Sequence, residues 1–335
     1  SLGLFQSTKI AIRTLINEHI ERVAAASFMA VVLGLSGCGP AKTESPVAKK
    51  IIPADAVRVA SKIDTEGALL GNMIVLLLES KGIPTVNKVQ LGATKIVRYA
   101  LTSGEIDIYP EYTGSGAFIF NDEKNLAWKN PKEAYDLVKK LDYDKNKVVW
   151  LQAAPANNTW AIAVRSDLAD THHLKTLEDL KQYLDSGGPF KMAASSEFIE
   201  RGDALPLFEK AYGFKLKQNQ FLSLAGGDTT VFIKAAAEQT SGVNAALAYG
   251  TDGAIASMGL VVLDDSKTAQ PVFEPAPVIR EEVLKKHPEI ADILNPVFAS
   301  LDLKTLQKLN GQIAFEGRDA KTVASDYLKS QGFLK

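Results

Sequence analysis

The chain has a single cysteine, Cys38, so no disulfide can form within it. Stability must therefore come from a packed apolar core rather than from covalent staples. It also lacks any apolar run after Cys38 long enough to cross a bilayer, which takes roughly 20 residues. Charge of one sign is missing too: the formal net charge is −1, and no basic run or aromatic–basic stripe appears. That argues against nucleic acid as a partner. Histidine is scarce, with four in the chain. None of the G-x-S-x-G, H-E-x-x-H or P-loop patterns is present, which removes the common signatures of hydrolases, zinc proteases and NTPases. What remains, at 46% apolar and 23% charged residues, is an ordinary globular composition.

The cysteine stands at an informative place. Lys9 and Arg13 precede the apolar run Val23 to Leu35, and Leu35-Ser36-Gly37-Cys38 follows. A basic start, a short apolar run and small residues are the parts of an export signal. Leucine three residues before cysteine, with two small residues between, resembles the bacterial lipobox. On this reading residues 1–37 are a lipoprotein-type signal peptide and Cys38 carries the lipid. Residues 38–54, rich in Pro, Lys, Ser and Thr, form a flexible tether. The protein is then periplasmic and held at a membrane by acyl chains. Glu18 and Glu21 fit this pattern poorly, and the alternative is an amphipathic helix ending in a cysteine.

Beyond the tether, short β-rich runs alternate with amphipathic helices, the pattern of an α/β protein. Strands are expected at Val57–Ala60, Val86–Leu91, Ile106–Tyr109 (stopped by Pro110) and Val148–Leu151, with helices after Asp64-Thr65 and after Thr94 as caps. A second series has strands at Trp160–Val164, Lys191–Ala194, Phe221–Leu224 and Asn244–Leu247. Its helices fall near Leu177–Leu184, Leu205–Tyr212 and Val231–Gln239, and a helical tail follows from Arg280. Two βα series in one chain suggest two lobes with a cleft between them, a favoured place for small ligands.

Few residues suggest catalysis. His172-His173 are adjacent in a polar segment, not at the i,i+4 spacing that sets two imidazoles on one helix face. Gly226-Gly227-Asp228 reads as a helix entry turn, and Asp264-Asp265 and Glu281-Glu282 as solvated acid pairs. Aromatic residues near breaks in regular structure are more informative. Tyr112 lies in Pro110-Glu-Tyr-Thr-Gly-Ser-Gly116, Trp160 follows Ala156-Asn-Asn-Thr, Tyr249 opens onto Gly250-Thr-Asp-Gly253, and Phe273 is framed by Pro271 and Pro275. Each alone is as well explained by packing. Together they suggest a box of ring faces. Such a box suits a quaternary ammonium, which has no N–H to donate and is attracted by ring quadrupoles at about 0.5–2 kcal/mol per face.

Six segments extend this picture: Ala60-Ser-Lys-Ile-Asp-Thr-Glu-Gly67, Gly104-Glu-Ile-Asp-Ile-Tyr-Pro-Glu-Tyr-Thr-Gly114, Pro155-Ala-Asn-Asn-Thr-Trp160, Glu197-Phe-Ile-Glu-Arg201, Ala248-Tyr-Gly-Thr-Asp-Gly253 and Pro275-Ala-Pro-Val278. In this order they resemble the osmoprotectant-binding proteins of ABC importers, of the OsmF (YehZ) type, which bind glycine betaine, choline and related compounds. The resemblance covers nearly all of Val57 to Lys335. It implies a type II periplasmic binding protein: two βα lobes, a hinge and an interlobe ligand cleft. Lobe 1 would comprise residues 55–157 and 270–335, and lobe 2 residues 158–269. It maps an aromatic cage onto Tyr112, Trp160, Tyr249 and Phe273, a carboxylate grip onto Lys62, Arg201 and Ser115, and a polar cage edge onto Asn158. Trp160 and Phe273 stand where the family commonly has tyrosine, and Ser115 where it has threonine, so weaker betaine binding or a shifted ligand preference is expected.

The implied protein is no enzyme and uses no cofactor or metal. It would act as a monomer, delivering its ligand to permease subunits in the inner membrane. A receptor for choline, carnitine or an amino acid in the same fold is the alternative. An enzyme in the same cleft lacks a nucleophile–base pair to support it, and a lipoprotein that has lost ligand binding is a third possibility.

Overall fold

The computed structural model describes residues 53–335 apart from 226–227. The signal peptide, Cys38, the tether up to residue 52 and the Gly226-Gly227 pair lie outside the described residues. Two five-stranded mixed sheets organise the rest. The first has the order β2-β1-β3-β10-β4, from β1 (Val57–Lys62), β2 (Thr85–Gly92), β3 (Ile108–Tyr112), β4 (Val148–Trp150) and β10 (Pro275–Arg280). The second has the order β7-β6-β8-β5-β9, from β5 (Trp160–Arg165), β6 (Met192–Ser195), β7 (Phe221–Leu224), β8 (Ala245–Tyr249) and β9 (Leu260–Val262). In each sheet the strand entering from the other lobe, β10 or β5, runs antiparallel to its neighbours, while β1, β2 and β3, and β6, β7 and β8, pair in parallel. These are the two α/β lobes that the resemblance implies.

The inner strands of both sheets are buried on two faces, covered by helices, while the outer strands β2, β7 and β9 are partly exposed. The helix Thr65–Ser80 illustrates the logic. Leu69, Leu70, Met73, Ile74, Leu77 and Leu78 recur at helical spacing and are fully buried, packed under the C-terminal helices Leu303–Ala314 and Ala320–Ser330. Gly82, at φ +79°, follows its end in the left-handed region that glycine enters at no steric cost. Among the described residues no helix is long and apolar enough to cross a membrane.

Several local expectations change. Pro110 does not stop β3, which runs through it to Tyr112. It faces Pro277 across the ladder, so two residues without N–H meet where no hydrogen bond between them is needed. Neither Asp64 nor Thr94 caps a helix through its side chain: Asp64 holds the capping position without the bond, and Ala93 precedes the second helix in place of Thr94. His172 ends the helix Ser166–His172 with its ring 4.8 Å from that of Tyr183, and both His172 and His173 stay exposed, as a polar segment should. Asp265 is not simply solvated: it accepts from Tyr212 Oη and from the N–H groups of Ala269 and Gln270. β9, β10 and the helix Glu289–Ser300, with Pro296 inside it, were not expected.

Candidate functional site

The strand directions assemble the site. Ligands of open α/β sheets sit beyond the carboxyl ends of the strands. Lys62, Tyr112 and Tyr249 are the last residues of β1, β3 and β8. Trp160 is the first residue of β5, but β5 is antiparallel to β8 and places Trp160 directly opposite Tyr249. In the same way Pro275, which opens β10, pairs with Tyr112 and brings Phe273 to that edge. Ser115 begins the short helix Ser115–Ile119, Asn158 lies on the crossover from β4 to β5, and Arg201 follows the helix Ser196–Glu200. All eight residues singled out from the sequence line one cavity of about 40 Å³, together with Ile63, Asp64, Ala93, Thr94 and Glu197. Both lobes contribute, and a cavity this narrow admits only a few waters. Among the described residues no histidine or cysteine lines it.

The rings form the apolar part. Trp160 and Phe273 are stacked with centroids 6.3 Å apart, and Tyr249 meets Trp160 edge-on at 6.3 Å. Phe198 supports Trp160 from behind at 5.0 Å. Tyr112, Trp160 and Phe273 are buried, and Tyr112 Oη donates to Glu66 Oε1 at 2.8 Å, which fixes the ring. Two ring faces already hold cations of the protein: Lys62 Nζ lies 5.1 Å from the Tyr112 centroid, and the Arg201 guanidinium 5.0 Å from that of Trp160.

The two basic residues are not idle. Lys62 Nζ pairs with Glu111 at 2.6 Å and lies 3.4 Å from Ser115 Oγ. Arg201 makes a two-pronged contact with Asp203, through Nε at 2.6 Å and Nη2 at 2.8 Å, and its Nη1 reaches Glu197 at 2.8 Å and Thr94 Oγ1 at 3.3 Å. Burial alone would raise both Glu111 and Glu197. The charge of Lys62 on the first, and of Arg201 on the second, brings each below its ordinary value. Burial works against the Arg201 cation, but Asp203 and Glu197 outweigh it and its pKa is raised. Any ligand carboxylate therefore meets cations with partners in place.

Asn158 is buried and turned inward: its Nδ2 donates to Glu66 Oε1 at 3.1 Å. Glu66 also accepts from Asn310 Nδ2 at 2.6 Å, so one carboxylate ties the crossover, a cage ring and the helix Leu303–Ala314 together. Asp64 is different. Burial first, and then the charge of Glu66, push it up to about 7, against the opposing effect of Lys62. Sequence reasoning did not single out Asp64, Glu66, Glu111 or Asp203. Only the Glu197/Arg201 spacing of four residues gave a local signal, through the pairing it permits on a helix face. Among the described residues no cluster of three or more potential metal ligands occurs.

Comparison with known proteins agrees with this geometry. Residues 55–330 match the family model OpuAC, described as the substrate binding domain of an ABC-type glycine betaine transport system. The chain is 66% identical over 282 residues to the glycine betaine-binding protein YehZ of Escherichia coli, covering 84% of this chain and 92% of that one. It is 31% identical over 289 residues to a glycine-betaine-binding protein of Pseudomonas aeruginosa, covering 84% and 89%. The solved structure of apo YehZ superimposes with a TM-score of 0.61 over 84% of this chain and 100% of that one. The chain belongs to the family of substrate-binding domains of ABC-type glycine betaine transport systems.

Proposed function

We propose that this protein is the extracytoplasmic receptor that captures glycine betaine, or a close quaternary-ammonium relative, and hands it to its ABC permease. The observation that carries the reading is the convergence of Tyr112, Trp160, Tyr249 and Phe273 with Lys62, Arg201 and Ser115 on one narrow interlobe cavity. Ring faces attract the methylated cation. Lys62 and Arg201 are suitable partners for the carboxylate at the other end, Arg201 through its planar fork. Asn158 holds the edge of the cage. Entry requires the lobes to part, and closure seals the ligand from water. The lobes divide at residues 55–157 with 270–335 and residues 158–269. The protein acts as a monomer, is tethered through Cys38, and performs no chemistry on its ligand.

Calorimetric titration of the purified protein with glycine betaine, choline and glycine tests the reading. Saturable binding of betaine but not of glycine supports a site that reads the methylated cation. Absence of binding by either quaternary amine at millimolar concentration removes the proposed ligand.

A further inference from the structure

Asp64 stands apart from the other acids of the cleft. It holds the position before the helix Thr65–Ser80, where an aspartate ordinarily turns its carboxylate onto the free N–H groups of the first turn. Here the side chain makes no such bond. Asp64 is 8% exposed and lines the cavity alongside the rings, and its Oδ1 has no hydrogen-bond partner. The cations of the cleft are engaged elsewhere, Lys62 with Glu111 and Arg201 with Glu197 and Asp203. A buried carboxylate oxygen left without a partner is costly, and such groups concentrate where function requires them.

The surrounding field calls for a cation. Lys62, at the end of β1, is the positive group that acts most strongly on Asp64; Glu66 from the same helix and Asp228 from the start of the helix Thr229–Ala237 are negative. Asp228 sits close by, accepting from Thr65 Oγ1 at 3.2 Å. The hydroxyls of Tyr112 and Tyr249 both feel the Asp64 charge, and Tyr249 also feels Glu197, Asp252 and Arg201. Asp64 thus shares the cavity of the cage rings, among more acid than base.

Resting on the reading that a methylated ammonium enters this cavity, we infer that Asp64 is a specificity-determining residue, its carboxylate the counter-charge for the ligand's quaternary nitrogen. The cation is then read by a full charge as well as by ring faces. A quaternary ammonium cannot donate a hydrogen bond, so charge at close range is the contact a carboxylate can offer it. Two consequences follow. The site must distinguish glycine betaine from its carbon isostere 3,3-dimethylbutanoate, which has the same shape and carboxylate but no cation. Affinity for betaine must also rise with pH, because burial and Glu66 keep Asp64 protonated in acid, its pKa standing at about 7.

The test is calorimetric titration of the wild type and Asp64→Asn with both compounds on either side of that pKa. If bound ammonium lowers the Asp64 pKa by about one unit, wild-type affinity for betaine rises about tenfold from low to high pH. Asp64→Asn is expected to lose most of that rise, Asp252 beside Tyr249 being the other carboxyl held at about 7, and to give a betaine-to-isostere ratio about tenfold smaller at high pH. A variant that keeps the wild-type profile and ratio overturns the inference. So does a wild type that binds betaine without pH dependence, a result that needs no variant and leaves the proposed function standing. A wild type that binds no betaine at any pH removes the proposed function, and this inference with it.

Discussion

Glu111→Gln isolates the question of how an already paired lysine can grip a ligand. Glu111 is fully buried, and the Lys62 side chain is 14% exposed at the cavity wall, with 2.6 Å between their charged atoms. At an effective dielectric constant near 20, a pair at this distance gains about 6 kcal/mol in gross Coulomb energy, most of it offset by desolvation. Removing one member of a buried pair typically costs about 3–5 kcal/mol. The partial exposure of Lys62 and the acceptor oxygen that Gln retains for Tyr109 Oη or the Tyr112 N–H bring the expected loss to about 2–3 kcal/mol. For a protein of this size that corresponds to a fall of roughly 4–9 °C in melting temperature.

The loss should be recovered selectively. In Glu111→Gln the lysine lacks a partner, and the betaine carboxylate can take that place. Thermal melts followed by circular dichroism, with and without saturating ligand, should show a larger betaine-induced rise in the variant than in the wild type, because a ligand that binds only the native state raises its stability with affinity. Choline has no carboxylate and should give the same increment in both, or none. If the variant loses stability and betaine gives no larger rise than in the wild type, Lys62 does not meet the ligand carboxylate. If the variant loses no stability, the pair contributes nothing and the premise fails.

Phe273→Tyr restores a phenol to the cage and should tighten betaine by about 0.5–1 kcal/mol, a few-fold in Kd by calorimetry; no tightening would refute the account of the cage as short of one electron-rich ring. Asp142→Asn removes the charge that accepts from Arg98, Trp150 Nε1 and Asn146 in the core of lobe 1, so urea denaturation should show a loss of about 3–5 kcal/mol with the betaine Kd of the folded protein unchanged. Asp64→Asn should also change unliganded stability with pH. A carboxyl raised in the folded state from 3.8 to about 7 lets the folded protein hold a proton that the unfolded chain has released, so its effect is absent below the lower value and destabilising as pH climbs through the higher one. The variant's melting temperature, measured against the wild type, should therefore match near pH 4 and lie higher near pH 8.

The rings of the site were legible in the sequence because strand ends are marked locally. Tyr112 is followed by Thr-Gly, Tyr249 by Gly-Thr, and Phe273 is bracketed by prolines. What places them on one edge was not legible. β10 begins Pro275-Ala-Pro277, a composition that reads as a loop, yet it is an inner strand of its sheet, with β3 on one side and β4 on the other. Its antiparallel entry brings Phe273 beside Tyr112. The helix Glu289–Ser300 was hidden in the same way by Pro296. At Asp64 the capping position was legible but the capping bond was not: its Oδ1 lies against Gly67 in the first turn without accepting a hydrogen bond. Charge pairing was the least legible property. Lys62 and Glu111 are brought together through β1 and β3, and the Arg201–Thr94 contact spans the two lobes; neither can be read from spacing along the chain.

The pairing has a consequence for how the cleft works. A bare Lys62 and Arg201 facing a closed, empty cavity would each bear the cost of burial uncompensated. With Glu111, Glu197 and Asp203 in place, each cation has a counter-charge when no ligand is bound. On the proposed function a ligand carboxylate would enter by exchange: it would gain contacts with groups that already have partners, and the net gain would be the difference between two similar interactions. Asp203 holds Arg201 by two prongs and leaves Nη1 to Glu197 and Thr94, so the exchangeable contact on Arg201 is Nη1, and on Lys62 the approach past Ser115. At the other end the balance is reversed. The faces of Tyr112 and Trp160 are shared with Lys62 and Arg201, but Tyr249 and Phe273 are not, and Asp64 Oδ1 has no hydrogen-bond partner to exchange. Discrimination should therefore be stronger for the methylated ammonium than for the carboxylate, so that replacing the nitrogen of betaine by carbon costs more affinity than removing its carboxylate.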